Sequence, residues 1–212
     1  MKSQINNLAS QRLVWLDALK GIGITLIMVC HAGLLPRVSI FLTAGYVSIF
    51  FVASGFTYKA QTFSSEIGKR SKRLLLPYFF YVSLSIILMN IFQIKGDFIH
   101  QVLGMIYSRY SLYFGIKDVG DVSLLTQTCN SPTWFLTALF TSLMVMYIIK
   151  SLKLQWVVIT CLGLSVLTLY LPFLLPWSLD TAFVGALFIY LGKKIRGGNS
   201  GYRMVRLGLV VL

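Results

Sequence analysis

The chain alternates long apolar runs with short polar tracts. Apolar runs cover 16–35, 39–58, 74–94, 134–149 and 156–175, and a shorter one covers 181–191. A helix needs about 20 residues to cross the hydrocarbon of a bilayer. The pattern therefore predicts an all-α, polytopic transmembrane helix bundle of about six spans. Pro36 closes the first run and Pro176 the fifth. The second run is rich in small residues, Ala44-Gly45, Ser48 and Ala53-Ser54-Gly55, which allow close helix packing in lipid. The longest polar segment is 95–132, and within it 98–116 reads as an interfacial amphipathic helix. A last apolar run starts at Leu207 and reaches only Leu212, too short to span. We therefore expect residues 1–212 to be a single membrane-embedded domain, the amino-terminal portion of a longer one.

Composition agrees. The chain is 57% hydrophobic and 12% charged, against about 25% charged in soluble domains. The net charge of +13 raises the question of nucleic acid. The basic residues, however, cluster in tracts that flank apolar runs, as membrane topology requires, so no nucleic-acid partner is expected. Segments 1–20, 59–73, 150–153 and 193–206 hold all 19 Lys and Arg but four: Arg37, Lys95, Arg109 and Lys117. The positive-inside rule places the amino terminus and the 59–73 loop in the cytoplasm. Segment 95–132 and the turn at 176–180 then face outward. The expected location is the cell membrane, multi-pass. Cys30, Cys129 and Cys161 show no metal-ligand spacing, and no metal is expected.

Lys20 and His31 carry the first chemical signal. Eleven helical residues make three turns plus roughly 20°, so the two share a face, about 16 Å apart along the axis. An ionisable group at membrane depth is costly and is a functional candidate by default.

Five motifs then carry a resemblance. They are Trp15-Leu16-Asp17-x-x-Lys20-Gly21-Ile22-Gly23 with His31 beyond, Gly45-Tyr-Val-Ser-Ile-Phe50-Phe51-Val-Ala-Ser54-Gly55-Phe56, Arg70-Ser-Lys-Arg73 followed by Leu-Leu-Leu-Pro77-Tyr78, Thr133-Trp134-Phe135-Leu136, and Leu175-Pro176-Trp177-x-x-Asp180. In this order they resemble the integral-membrane acyltransferase family called type three. The last two are similar to its fucose 4-O-acetylase-like branch. The matches extend from about residue 12 to 192. Family members have more spans than this chain, which again reads as carboxyl-terminal truncation.

The resemblance implies transfer of an acyl group, usually acetyl, from cytoplasmic acetyl-CoA to a sugar hydroxyl. Its partners are membrane lipid, acyl-CoA and a surface glycan or lipid-linked precursor. Arg70 and Arg73, three apart on one helical face, suit the donor's phosphates through forked hydrogen bonds, and Lys20 adds a point charge. Alternatively, these are topology anchors. His31 suits a general base or transient acyl carrier, its reference pKa being about 6.5, or else it is a buried histidine bonded to a neighbouring helix. Asp180 and Trp177 form a carboxylate–aromatic pair of the kind that contacts sugars, and Asp180 equally suits a helix N-cap. Trp134 joins the substrate-binding set and also suits an interface anchor. His100 reads as a solvated surface residue. Two other functions stay open, a glycan export or transport accessory and an inactive truncated family member.

Overall fold

A computed structural model describes residues 14–31, 39–59, 62–92, 97–109 and 133–197. Cys129, the 207–212 run and most of 95–132 lie outside the described residues, as does the side chain of His31. Among the described residues every regular element is helical: α1 Val14–His31, α2 Ser39–Phe56, α3 Phe63–Ile91, α4 Phe98–Tyr107, α5 Trp134–Ile149, α6 Leu154–Thr168 and α7 Leu179–Gly197. A 3-10 turn, Pro176–Ser178, precedes α7.

Each expected apolar run falls on a helix, but the ends differ for physical reasons. The third helix starts at Phe63, eleven residues ahead of the run, and takes in the basic tract. It does so through a π turn at Ser71–Leu75. Pro77 lies just beyond. Proline cannot donate to the carbonyl four residues back and needs room there, so the helix widens to i→i+5 bonding instead of breaking. Helix α6 stops at Thr168, short of residue 175, because Pro172 has no N–H and disfavours helix at Leu171. Helix α7 runs on to Gly197. Lys193, Lys194 and Arg196 are tolerated in a helix, and cations near its carboxyl end suit the macrodipole. Helix α4 ends at Tyr107 and not at residue 116, because Ser108 turns left-handed (φ 59°). Phe63–Ile91 is the one described helix long and apolar enough to cross a membrane on length and composition.

The chain forms two compact units. The first comprises α1, α2 and the carboxyl-terminal end of α7 from Leu191. Helices α1 and α2 pack along each other, with Trp15 edge-on to Phe56 at 5.2 Å between centroids. Gly192 of α7 lies against the backbone of α2, where any Cβ would collide with the Val52 carbonyl. Arg196 donates to the carbonyl of Phe56 at 3.0 Å, satisfying a group at the open end of α2.

The second unit spans Tyr58–Tyr190. One part of its core is a one-face stripe on α3, Tyr78, Val82 and Ile86, with Met105 of α4 and Leu136 of α5 packed on it. Steps of four residues place these three side chains one above the other. The Tyr78 hydroxyl donates to the carbonyl of Met105 at 2.7 Å, which joins α3 to α4. On the opposite side of α3, Phe80, Leu84, Ile87, Leu88 and Ile91 are exposed. On α6, Trp156, Ile159, Val166 and Leu167 are exposed as well. Apolar surface of this extent suits lipid rather than water.

Candidate functional site

The turn ahead of α7 is held by several side-chain bonds. Trp177 and Ser178 are consecutive non-glycine residues in the left-handed region, at φ 54° and 56°. Each such residue costs on the order of 1–3 kcal/mol and persists only where its surroundings enforce it. Here they do. The Trp177 indole N–H donates to the Ile106 carbonyl at 2.8 Å. The Trp177 carbonyl accepts from the Thr141 hydroxyl at 3.0 Å, and the Ser178 carbonyl accepts from the Thr181 hydroxyl at 3.0 Å. The Trp177 ring packs edge-on to Phe79 and Phe140, at 6.5 and 6.0 Å.

The end of α4 closes on the same turn. The Tyr107 hydroxyl donates to the Leu174 carbonyl at 2.6 Å. Arg109 donates from Nε to the Leu175 carbonyl at 3.3 Å and forms an ion pair through Nη2 with Asp180 Oδ1. That oxygen also accepts from the amide of Thr181 at 2.7 Å. Both members of the pair are buried. Burial pushes the Tyr107 phenol above its ordinary pKa of 10, the Arg109 charge opposing. Thr137 donates to the Trp134 carbonyl at 2.8 Å, and its hydroxyl oxygen meets that of Ser108 at 2.6 Å. Thr137 and Thr141 are four apart on α5, so they present one face to this cluster.

Of the expected substrate contacts, Asp180 and Trp177 therefore belong to one connected cluster, while Trp134 reaches it only through its backbone carbonyl and its ring packs edge-on to Phe135. Asp180 lies inside the first turn of α7 and is not its N-cap, although it does bond a first-turn amide. Two polar atoms of the cluster are buried without a hydrogen-bond partner: Asp180 Oδ2 and Ser178 Oγ.

Arg70 and Arg73 are not equivalent, contrary to the one-face expectation. The π turn begins immediately after Arg70, at Ser71. Winding is slower there, so three steps separate the two side chains more widely than in an α-helix. Arg70 is half-buried, donates from Nε to Glu66 Oε2 at 3.0 Å and lies 5.6 Å over the Tyr58 ring. Arg73 is exposed. Lys20 is half-buried on α1, and His31 is the last residue of that helix. The helix is unbroken between them, so the eleven-residue spacing holds along the backbone. These two belong to the first unit, and Arg70, Arg73 and the Trp177 cluster to the second. His100 is half-exposed and pairs with Asp97 at 2.8 Å.

Sequence reading missed Arg109 and Glu66. Arg109 was one of only four basic residues outside the four basic tracts, and Glu66 the lone acid among the five basic residues of 59–73. Each was exceptional for its tract, which was the available signal.

A family model described as an acyltransferase domain matches residues 13–212. No curated protein and no solved structure matches the chain.

Proposed function

Because the chain belongs to the acyltransferase-domain family, we propose that it is a membrane O-acyltransferase that moves an acyl group, acetyl by preference, from cytoplasmic acyl-CoA to a sugar hydroxyl of a surface glycan or its precursor. Family membership carries the coarser statement, a membrane acyltransferase-type function. The finer reading rests on one observation. Lys20 and His31 keep their spacing on a single unbroken helix within the matched region.

In this reading the protein crosses the cell membrane about six times, with its amino terminus in the cytoplasm. Arg70, Arg73 and Lys20 hold the donor's phosphates. His31 is the general base. The acceptor oxygen attacks the thioester carbonyl carbon as its proton passes to His31. The carbon–sulfur bond then breaks, and the thiolate leaves and takes up a proton. Asp180, Trp177 and Trp134 are the acceptor contacts.

The test is His31→Gln, which keeps hydrogen-bonding capacity but cannot take up a proton at neutral pH. Loss of a general base costs about 10²–10⁴-fold in rate. We expect normal membrane insertion with acyl transfer from labelled acetyl-CoA reduced by that factor. Transfer at near wild-type rate would make His31 structural and end the proposed mechanism. Label trapped on the wild-type protein but absent from His31→Gln would make His31 an acyl carrier.

A further inference from the structure

We infer that the turn at 176–180 is a seat for a neutral sugar hydroxyl, with Asp180 Oδ2 and Ser178 Oγ as its direct contacts and Arg109 as the residue that positions and neutralises Asp180. The inference rests on the acyltransferase reading for calling that sugar the acceptor.

The cluster is otherwise satisfied. The side chains of Trp177, Tyr107, Arg109, Ser108, Thr137, Thr141 and Thr181 all have partners. Buried polar atoms are nearly always paired, and each exception calls for an explanation. Two exceptions two residues apart, on a turn held in an unusual backbone conformation, share one explanation. The surrounding bonds fix Ser178 and Asp180 in place, and the atoms left over await a ligand.

Their chemistry selects its class. Asp180 Oδ2 accepts only, while a serine hydroxyl both donates and accepts. A ligand hydroxyl complements both, giving its proton to Oδ2 and accepting from Oγ. Charge narrows the choice further. Asp180 Oδ1 is already bound to the Arg109 guanidinium, so the pair is electrically balanced. An anionic ligand would meet the carboxylate and a cationic one the guanidinium, each in a dry site where charges interact strongly. A neutral polyol meets neither penalty.

The experiment uses the full chain purified in detergent, read by thermal unfolding. The probes are methyl glycosides of glucose, galactose, mannose and fucose, with glucuronate and glucosamine as charged comparators. At least one neutral glycoside should raise the Tm of the wild type, and neither charged sugar should match it. Ser178→Ala removes a buried unpaired hydroxyl and no described bond. It should therefore unfold at the same Tm or higher without sugar, yet bind the glycoside roughly threefold to tenfold more weakly, the worth of one neutral hydrogen bond. With donor present, the acceptor KM should rise by the same factor and kcat should hold.

A purely structural role for Ser178 would not separate stability from affinity in this way. Ser178→Ala binding the glycoside as tightly as wild type overturns the inference. So do equal responses to the charged sugars, or no response to any neutral one, which would mean the two atoms bind only water. The unfolding assay needs no acyl donor. A sugar-dependent shift without acyl transfer would sink the acyltransferase reading and leave the seat standing, and transfer without the shift would do the reverse.

Discussion

Two arginines of the second unit each pair with a buried acid, and they do opposite things. Arg109 reaches across 71 residues to Asp180, and its side chain is only 9% exposed. Arg70 reaches back four residues to Glu66 within its own helix and is 22% exposed. The long-range pair joins the end of α4 to the start of α7 and fixes the turn between α6 and α7. The local pair closes no loop and joins no elements, so it orients a side chain. Sequence separation and burial, not the presence of an ion pair, decide whether a charge holds the fold or is available for other work. Breaking a buried pair strands a charge in a dry site, whereas a partly exposed pair contributes little.

The largest expected effect comes from breaking the long-range pair. Arg109→Ala should destabilise the protein by about 3–5 kcal/mol, because Asp180 is left buried and uncompensated. Thermal unfolding in detergent measures this. Replacing both partners by apolar residues, Arg109→Met with Asp180→Leu, should recover part of the loss. If the single variant unfolds like wild type, the pair is not structural and the contrast with Arg70 collapses.

An intermediate effect, on function rather than stability, follows for the local pair. Arg70→Ala with Arg73→Ala should cost less stability than Arg109→Ala, because Arg70 is partly solvated, although it leaves the buried Glu66 without this partner. The apparent constant for acyl-CoA should nevertheless rise tenfold or more, since each charge-assisted contact is worth about 1.5–3 kcal/mol. Steady-state kinetics with varied donor check this. An unchanged donor constant would make both arginines topology anchors. The single variants sharpen the comparison, because Arg70 is held by Glu66 while Arg73 is exposed, so their losses should differ.

The smallest effect concerns Tyr107, the neutral member of the Arg109 cluster. Its phenol donates to Leu174, so Tyr107→Phe should cost about 1 kcal/mol near pH 8. Burial raises its pKa in the folded state above the ordinary value. Its stabilisation is therefore fully present below the unfolded pKa of about 10 and is lost as pH rises through the raised folded value. The Tm gap between wild type and Tyr107→Phe should narrow above pH 10. A gap that stays constant up to pH 11 would contradict the assignment.

Much of this fold was legible because lipid imposes simple rules. An apolar run becomes a helix, and 134–149 matches α5 at both ends. Helix ends were less legible because they depend on local backbone chemistry. Pro77 widened a helix rather than ending it, and Pro172 ended one that the apolar run alone would have continued. In the site, Trp134, Trp177 and Asp180 were picked out by residue type; the structure puts Trp177 and Asp180 on one turn, and Trp134 joins their cluster only through its backbone carbonyl. Arg109 was hidden by its charge, which reads as topology until its partner 71 residues away is known. No pattern in one sequence announces such a pairing, since it depends on which elements the fold brings side by side. Glu66 was hidden for a similar reason, as an acid in a basic tract reads as noise until its burial is seen.

The π turn in α3 has a meaning in the arithmetic of the gene as well as in geometry. A π turn within an α-helix holds one residue more than α winding needs, so Ser71–Leu75 carries one codon beyond the α-helical register. Five residues at π winding cover nearly the same angle as four at α winding, so deleting a single codon there would restore α winding and leave the upstream turns aimed as they are relative to the stripe from Tyr78 to Ile86. Glu66 and Arg70 would keep both their pairing and their direction. The same deletion in the α-wound part of α3 would instead turn the basic face by about 100°.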